Sequence, residues 1–164
     1  MAVASVLGQG TTFTVYLPRI DDSVRDEGVQ EGALPTGAER VLFVDDEASL
    51  VGLGQEILML LGYDVVVCTS SVEALEVFRT APQHFDLVIT DQTMPHMTGE
   101  ELALELRRLR SDIPIILCTG FSHIMQAERA QELGIDAFLM KPLAMQDLAL
   151  TIQQVLASRR QPPP

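Results

Sequence analysis

FDLVITDQTMPHMTGEELALEL, residues 85–106, changes its period halfway along. Phe85–Thr90 is short, mostly apolar and rich in Val, Ile and Phe. A run apolar on both faces suits a strand of a parallel sheet covered by helices on either side. The run is followed at once by a carboxylate, Asp91. A helix opens a few residues later at Thr98, with Glu101 three positions on. That spacing fits a capping box, in which each side chain bonds the other residue's backbone N–H.

Working outward in both directions, the same alternation recurs five times. The strand candidates are Arg40–Val44, Asp64–Cys68, Phe85–Thr90, Ile113–Cys118 and Ala137–Met140. The first helix carries the stripe Leu50, Leu53, Ile57, Leu58 and Leu61, which recurs at helical spacing. The second is expected to start at Ser70 with Glu73 three residues on, a second capping box, and the third at Thr98. The fourth runs over residues 122–133 and stops at Gly134, a C-cap signal. The fifth spans Met145 to Ala157, with Leu148, Ile152, Val155 and Leu156 facing inward. Strand–helix–strand crossovers are right-handed and leave the strands parallel. The pattern predicts an α/β, doubly wound (βα)5 domain over residues 40–158, with all strand C-termini on one edge. Ligands of such folds sit at that edge.

Composition narrows the function. The chain has 164 residues, 47% of them hydrophobic, which suffices for one domain with tails. Aromatics are 5% and Trp is absent, so the core must be aliphatic. The net charge of −12 repels nucleic acid phosphates and anionic membrane surfaces, which argues against either as a partner. No apolar run approaches the roughly 18 residues of a membrane span, and MAVASVLGQG lacks a positively charged n-region. The cytoplasm is the expected location. Cys68 and Cys118 each close an apolar run and read as buried free thiols.

The chemistry lies at the strand ends. The first strand runs into Asp45-Asp46-Glu47, the third into Asp91, the fourth into Thr119-Gly120 and the fifth into Lys141-Pro142. Each residue alone reads as a solvated turn, a cap or a surface charge, but the set on one edge is improbable by chance. Three carboxylates within about 4 Å repel by about 4 kcal/mol per pair at an effective dielectric near 20. A hard divalent cation among them reverses that, and oxygen ligands with retained water describe Mg²⁺. Mg²⁺ beside a carboxylate, with a Lys point charge and a hydroxyl donor, is equipment for phosphoryl transfer. Asp91, on the central strand, is the expected nucleophile.

VDDE at 44–47, DQTMPHMTG at 91–99, Thr119-Gly120 and FLMKP at 138–142 together resemble the receiver domain of two-component response regulators. The resemblance implies a flavodoxin-like sheet in order 2-1-3-4-5. It implies that Asp91 accepts a phosphoryl group from a phosphohistidine, supplied by a histidine kinase core or a histidine phosphotransfer protein. Asp46 and Asp91 would ligate Mg²⁺ directly, Asp45 through water, and the carbonyl of Thr93 would complete the site. Lys141 would pair with Asp91 and then with the phosphoryl oxygens. Thr119 would bond one of those oxygens beside a small Gly120. Phe138 would be the aromatic that turns inward when Thr119 moves. A cis Lys141–Pro142 bond is expected. Thr93 and Phe121 occupy the positions that tune phosphoryl lifetime in this family, and Phe138 replaces the commoner Tyr. Homodimer formation is left open.

Two flanking zones differ. GQGTTFTVYLP, within residues 1–18, alternates as one strand and resembles the last strand of a histidine kinase ATP-binding domain; a strand-like tail of other origin is the alternative. Residues 19–39 are acidic, with Gly and Pro, and read as a linker, and 159–164 as a disordered tail. The chain would then come from a hybrid sensor kinase whose core is membrane-attached, with no kinase activity of its own. Two rivals remain. A haloacid-dehalogenase-like phosphatase needs a second acid two residues after its nucleophile, where this chain has Thr93 after Asp91 and Glu47 after Asp45. A phosphorylation-independent interaction module would have no use for an intact Asp91, Thr119 and Lys141. His84, His96 and His123 read as surface residues. Gly52 and Gly54 read as packing positions in the first helix.

Overall fold

The computed structural model describes residues 2–16, 33–120 and 133–160. The chain divides into two compact units, residues 1–32 and 33–164.

The first unit is a hairpin, not the single strand the sequence suggested. β1 (Ala2–Val6) pairs antiparallel with β2 (Gly10–Thr14), and Val3 stands opposite Phe13. The turn between them uses Gly8 at φ 80 and Gly10 at φ 102, left-handed conformations that glycine adopts without a steric cost.

The second unit holds β3 (Arg40–Val44), α1 (Ala48–Leu60), β4 (Asp64–Cys68), α2 (Ser71–Thr80), β5 (Leu87–Asp91), α3 (Gly99–Leu109), β6 (Ile115–Thr119), β7 (Ala137–Met140) and α4 (Met145–Arg160). The five strands form one parallel sheet in the order β4-β3-β5-β6-β7. This is the 2-1-3-4-5 order expected. Strand pleating sends alternate residues to opposite faces. Leu42, Val44, Val88, Ile115 and Leu117 meet α2 and α3 on one face. Val41, Phe43, Leu87, Ile89 and Ile116 meet α1 and α4 on the other. Phe43 and Phe78 are almost wholly buried; burying a side chain of that size contributes about 1.5–3 kcal/mol.

Several boundaries shift from their expected places. β5 and β6 each start two residues late and end one residue late, so Asp91 and Thr119 are the last residues of their strands rather than the first of their loops. The Ser70 backbone caps α2, but its side chain makes no cap bond. The Thr98–Glu101 box is complete, with the Thr98 N–H donating to Glu101 Oε2 at 2.8 Å and the Glu101 N–H to Thr98 Oγ1 at 3.3 Å.

The stripe on α1 is rotated. Val51, Gly54, Ile57 and Leu58 are buried, whereas Leu53 is 50% exposed. A Cβ at Gly54 would stand 2.5 Å from the Phe43 ring, which explains that glycine by packing; one at Gly52 would meet nothing within 4 Å among the described residues, so packing against them does not explain Gly52. Residues 33–39 are not linker. The Gly37 N–H donates to the Leu61 carbonyl, the Asp64 N–H donates to Glu39, and Leu34 packs on the α1–α4 face.

α4 continues to Arg160, so the expected tail begins later. Arg159 reaches Asp136 at 2.5 Å, and Asp136 also holds Arg107 at 2.8 Å and the Ile115 N–H at 2.8 Å. That cluster fastens α3 and α4 to the starts of β6 and β7. The helix expected over 122–133 lies outside the described residues except for its end, where Gly134 takes φ 69, as a C-cap glycine does. Among the described residues no helix is long and apolar enough to cross a membrane.

Candidate functional site

Parallel register carries the ends of β3, β5, β6 and β7 to one edge. Asp91 closes β5, Thr119 closes β6, Asp45 follows β3 and Lys141 follows β7. Three of these polar residues are buried: Asp45 is 2% exposed, Asp91 6% and Thr119 6%. Buried charge is costly unless paired and hydrogen-bonded, so the partners decide what the site is.

The Lys141 ammonium bridges the two acids. Its Nζ lies 2.6 Å from Asp91 Oδ1 and 2.6 Å from Asp45 Oδ2. The other two oxygens accept backbone N–H groups: Thr93 N–H donates to Asp91 Oδ2 at 2.8 Å, and Glu47 N–H donates to Asp45 Oδ1 at 3.0 Å. Backbone bonds hold the frame. Lys141 N–H donates to the Thr119 carbonyl at 2.9 Å and Gln92 N–H to the Cys118 carbonyl at 2.9 Å. The Lys141–Pro142 bond is cis, as expected.

Two carboxylates share one ammonium, so the cluster keeps a net negative charge in a poorly solvated place. Burial alone would lower the Lys141 pKa. Its hydrogen bonds to Asp45 and Asp91, together with their charges, more than reverse this and hold the ammonium above its ordinary range. Behind the pair, burial pushes the Cys118 thiol up to about 12, and Cys68 rises to about 11 for the same reason. Both are buried free cysteines and neither is poised for chemistry.

The expected trio of acids is not assembled. Asp46 is exposed, and among the described residues no three His, Cys, Asp or Glu side chains stand close enough to hold a metal ion together. β3 ends at Val44 and the chain bends at Asp46, so Asp45 meets Lys141 while Asp46 is exposed. Thr93 is exposed and meets Asp91 through its N–H. Phe138 is half-buried against the α2–α3 face, paired in register with Leu117. Among the described residues, a Cβ at Gly120 would meet nothing within 4 Å. Phe121 and His123 lie outside the described residues; His84 and His96 are exposed.

The sequence reading missed Gly99. A Cβ there would lie 2.2 Å from the Asp91 carbonyl oxygen and 2.6 Å from Leu117 Cδ1. The glycine lets α3 start directly against β5, and its N–H closes the loop on the Gln92 carbonyl at 3.0 Å. A glycine immediately after a capping Thr was the available signal. Gly99→Ala is expected to cost about 2–3 kcal/mol, the upper part of the overpacking range, because a backbone oxygen cannot yield as a side chain can. Urea denaturation would read this, and a loss under about 0.5 kcal/mol would refute the close approach.

Residues 41–153 match the family described as the response regulator receiver domain. The chain belongs to that family. Its role is that of a receiver in phosphorelay signalling. It is 34% identical to the sensor kinase CckA of Brucella abortus (strain 2308), over 93% of this chain and 17% of that protein. It is 35% identical to the sensor protein EvgS of Escherichia coli (strain K12), over 94% of this chain and 13% of that protein. The chain thus spans less than a fifth of either relative. A solved receiver domain from Clostridium thermocellum superposes with a TM-score of 0.69 at 28% identity, covering 74% of this chain and 97% of that one.

Proposed function

We propose that Asp91 accepts a phosphoryl group from a phosphohistidine, with Mg²⁺ held by Asp45, Asp46, Asp91 and the Thr93 carbonyl. The observation that carries this is the ammonium of Lys141 shared between two buried carboxylates at the C-terminal sheet edge. An Asp91 oxygen forms the O–P bond as the donor's N–P bond breaks. Lys141 then follows the charge from the carboxylate to the phosphoryl oxygens, and Thr119, buried beside it, offers its hydroxyl. Mg²⁺ needs only one or two carboxylates and keeps several waters. An all-oxygen set of two buried acids with Asp46 next in the chain fits that demand without a preformed cage. The ion supplies neutralisation of phosphoryl charge in the transition state.

A donor has a surface to sit on. A groove of about 330 Å³ lined by Leu50, Leu53, Gly54, Lys141, Pro142 and Leu143 opens beside the ammonium. A histidine kinase core or a histidine phosphotransfer protein is the partner proposed. The chain is read further as part of a hybrid sensor kinase working on the cytoplasmic side of a membrane. Residues 1–18 belong on this reading to the end of the ATP-binding domain, and residues from 40 on are the receiver. The support is that similarity to CckA and EvgS covers more of the chain than residues 33–164 could supply. Phosphoryl contacts to Thr119 and Lys141 would shift the surface built from residues 119–158, with Phe138 following Thr119.

The test is intact-mass measurement after acetyl phosphate treatment, with and without Mg²⁺, followed by peptide mapping. One phosphoryl group on Asp91, dependent on Mg²⁺, is expected. Label on another residue, or equal labelling in EDTA, would remove the proposal.

A further inference from the structure

Residues 33–39, just ahead of β3, are fastened in place although the receiver chemistry makes no use of them. They precede the family match at 41–153 and belong to the same compact unit as the sheet. The Gly37 N–H donates to the Leu61 carbonyl at 3.0 Å, and the Asp64 N–H donates to the Glu39 carbonyl at 3.1 Å. Leu34 packs on the core face that holds Leu61 and Tyr63. The segment therefore lies along the corner between α1 and β4.

Two glycines make that contact closer than side chains allow. A Cβ at Gly37 would lie 2.2 Å from Tyr63 Cε1, in a ring buried in the core. A Cβ at Gly62 would lie 2.6 Å from the Gly37 carbonyl oxygen, and Gly62 also takes φ 93. Neither a buried ring nor a backbone oxygen can yield, so residue 37 must be glycine for the segment to sit here. A linker running free in solvent would set no such condition.

The hold is limited. Ala33, Thr36 and Ala38 are exposed, and Leu34 is the one large aliphatic side chain of the seven residues. β3, by contrast, is buried from Val41 to Val44 and paired on both sides. Each ordered residue gives up conformational entropy, glycine most of all. Segments with few buried contacts open on their own, below the free energy of global unfolding.

We propose that residues 33–39 are a releasable strap. Docked, it ties the chain ahead of the receiver to the Leu61–Tyr63 corner. Released, it lengthens the free chain before β3 by seven residues and uncovers Leu61 and Tyr63. The strap does not depend on what the upstream chain is.

Amide hydrogen exchange read by NMR on the 164-residue chain tests it. The Gly37 and Asp64 amides are expected to be protected about 10- to 1,000-fold, independently of low urea, as in a local opening. β5 amides are expected to be protected at least a hundredfold more and to lose protection with urea. Gly37→Val deletes only the docked state. It should bring the Gly37–Leu61 and Glu39–Asp64 bonds to within about threefold of unfolded exchange. β5 protection should then fall by the factor the strap has lost and by no more. Leu34→Ser, a milder change, should lower strap and β5 protection by one shared factor of at least about three. Acetyl phosphate labelling of Asp91 should stay within twofold in both. Strap amides that exchange freely in the parent overturn the docked state. Strap amides that match β5 in protection and urea dependence, or a β5 loss in either variant well beyond the strap's own, overturn the release.

Discussion

Asp91→Asn is expected to abolish phosphoryl incorporation, by about a hundredfold or more, while leaving the domain folded. The first half follows from the proposed chemistry: a carboxylate oxygen would be the nucleophile, and an amide has no comparable electron pair to offer phosphorus. The second half follows from the partners. The amide oxygen can still accept the Thr93 N–H now found 2.8 Å from Asp91 Oδ2. Its NH₂ then faces the Lys141 ammonium and loses that contact, but Asp45 retains its own at 2.6 Å. A cluster of two carboxylates and one ammonium becomes one of each. The change in stability should therefore stay within about 1 kcal/mol. Intact-mass kinetics with acetyl phosphate and Mg²⁺, beside a urea melt, separate the two effects. An Asn variant that is labelled at the native rate removes Asp91 as the acceptor. One that unfolds makes any loss of labelling uninformative about chemistry and contradicts the pairing logic.

The frame of this site could be read from the sequence because it depends on repeated local signals. Val- and Ile-rich runs alternate with helical stripes, and right-handed crossovers then bring positions 45, 91, 119 and 141 to one edge. What failed were features that no local pattern encodes. Gly52 and Gly54 both read as packing positions, yet only Gly54 stands against the Phe43 ring, because two glycines two residues apart on a helix face different ways and nothing local says which faces the core. Leu53 scored as core because it is leucine, yet it lies beside the groove near Lys141. Ser70 and Thr98 carry the same capping spacing; only Thr98 closes the box, because spacing does not fix a hydroxyl's rotamer. β1 was missed because Ala and Ser are weak strand formers, and its partner β2 had to be seen first. Asp45 and Asp46 are adjacent and chemically identical in the sequence. The bend that follows β3 leaves the first buried against Lys141 and the second exposed.

Lys141→Met provides the sharper test of how the site is held together. Removing the ammonium leaves Asp45 and Asp91, whose side chains are 2% and 8% exposed, facing the backbone N–H donors of Glu47 and Thr93 without a cation between them. Breaking one side of a buried pair costs about 3–5 kcal/mol. The Lys141 side chain is 22% exposed, so the low end, about 3 kcal/mol, is expected. The hydrogen bonds that raise the Lys141 pKa fix the sign of the pH dependence. A group whose folded value is raised contributes fully below its unfolded value, near 10.4 for Lys, and loses that contribution only as pH rises through the folded value. The cost of the substitution should therefore be flat from about pH 6 to about pH 9. Two recoveries should follow. Adding Asp45→Asn removes one of the stranded charges and should return part of the stability. On the proposed metal site, Mg²⁺ would bind the folded state alone and should stabilise the variant more than the parent, with about 2.7 kcal/mol available at a hundred times the dissociation constant. Urea melts of the three proteins, with EDTA and with Mg²⁺, measure each quantity. A single variant within about 0.5 kcal/mol of the parent in EDTA would mean that the ammonium does not neutralise the pair. Lys141 would then have no charge to follow from Asp91 to a phosphoryl group.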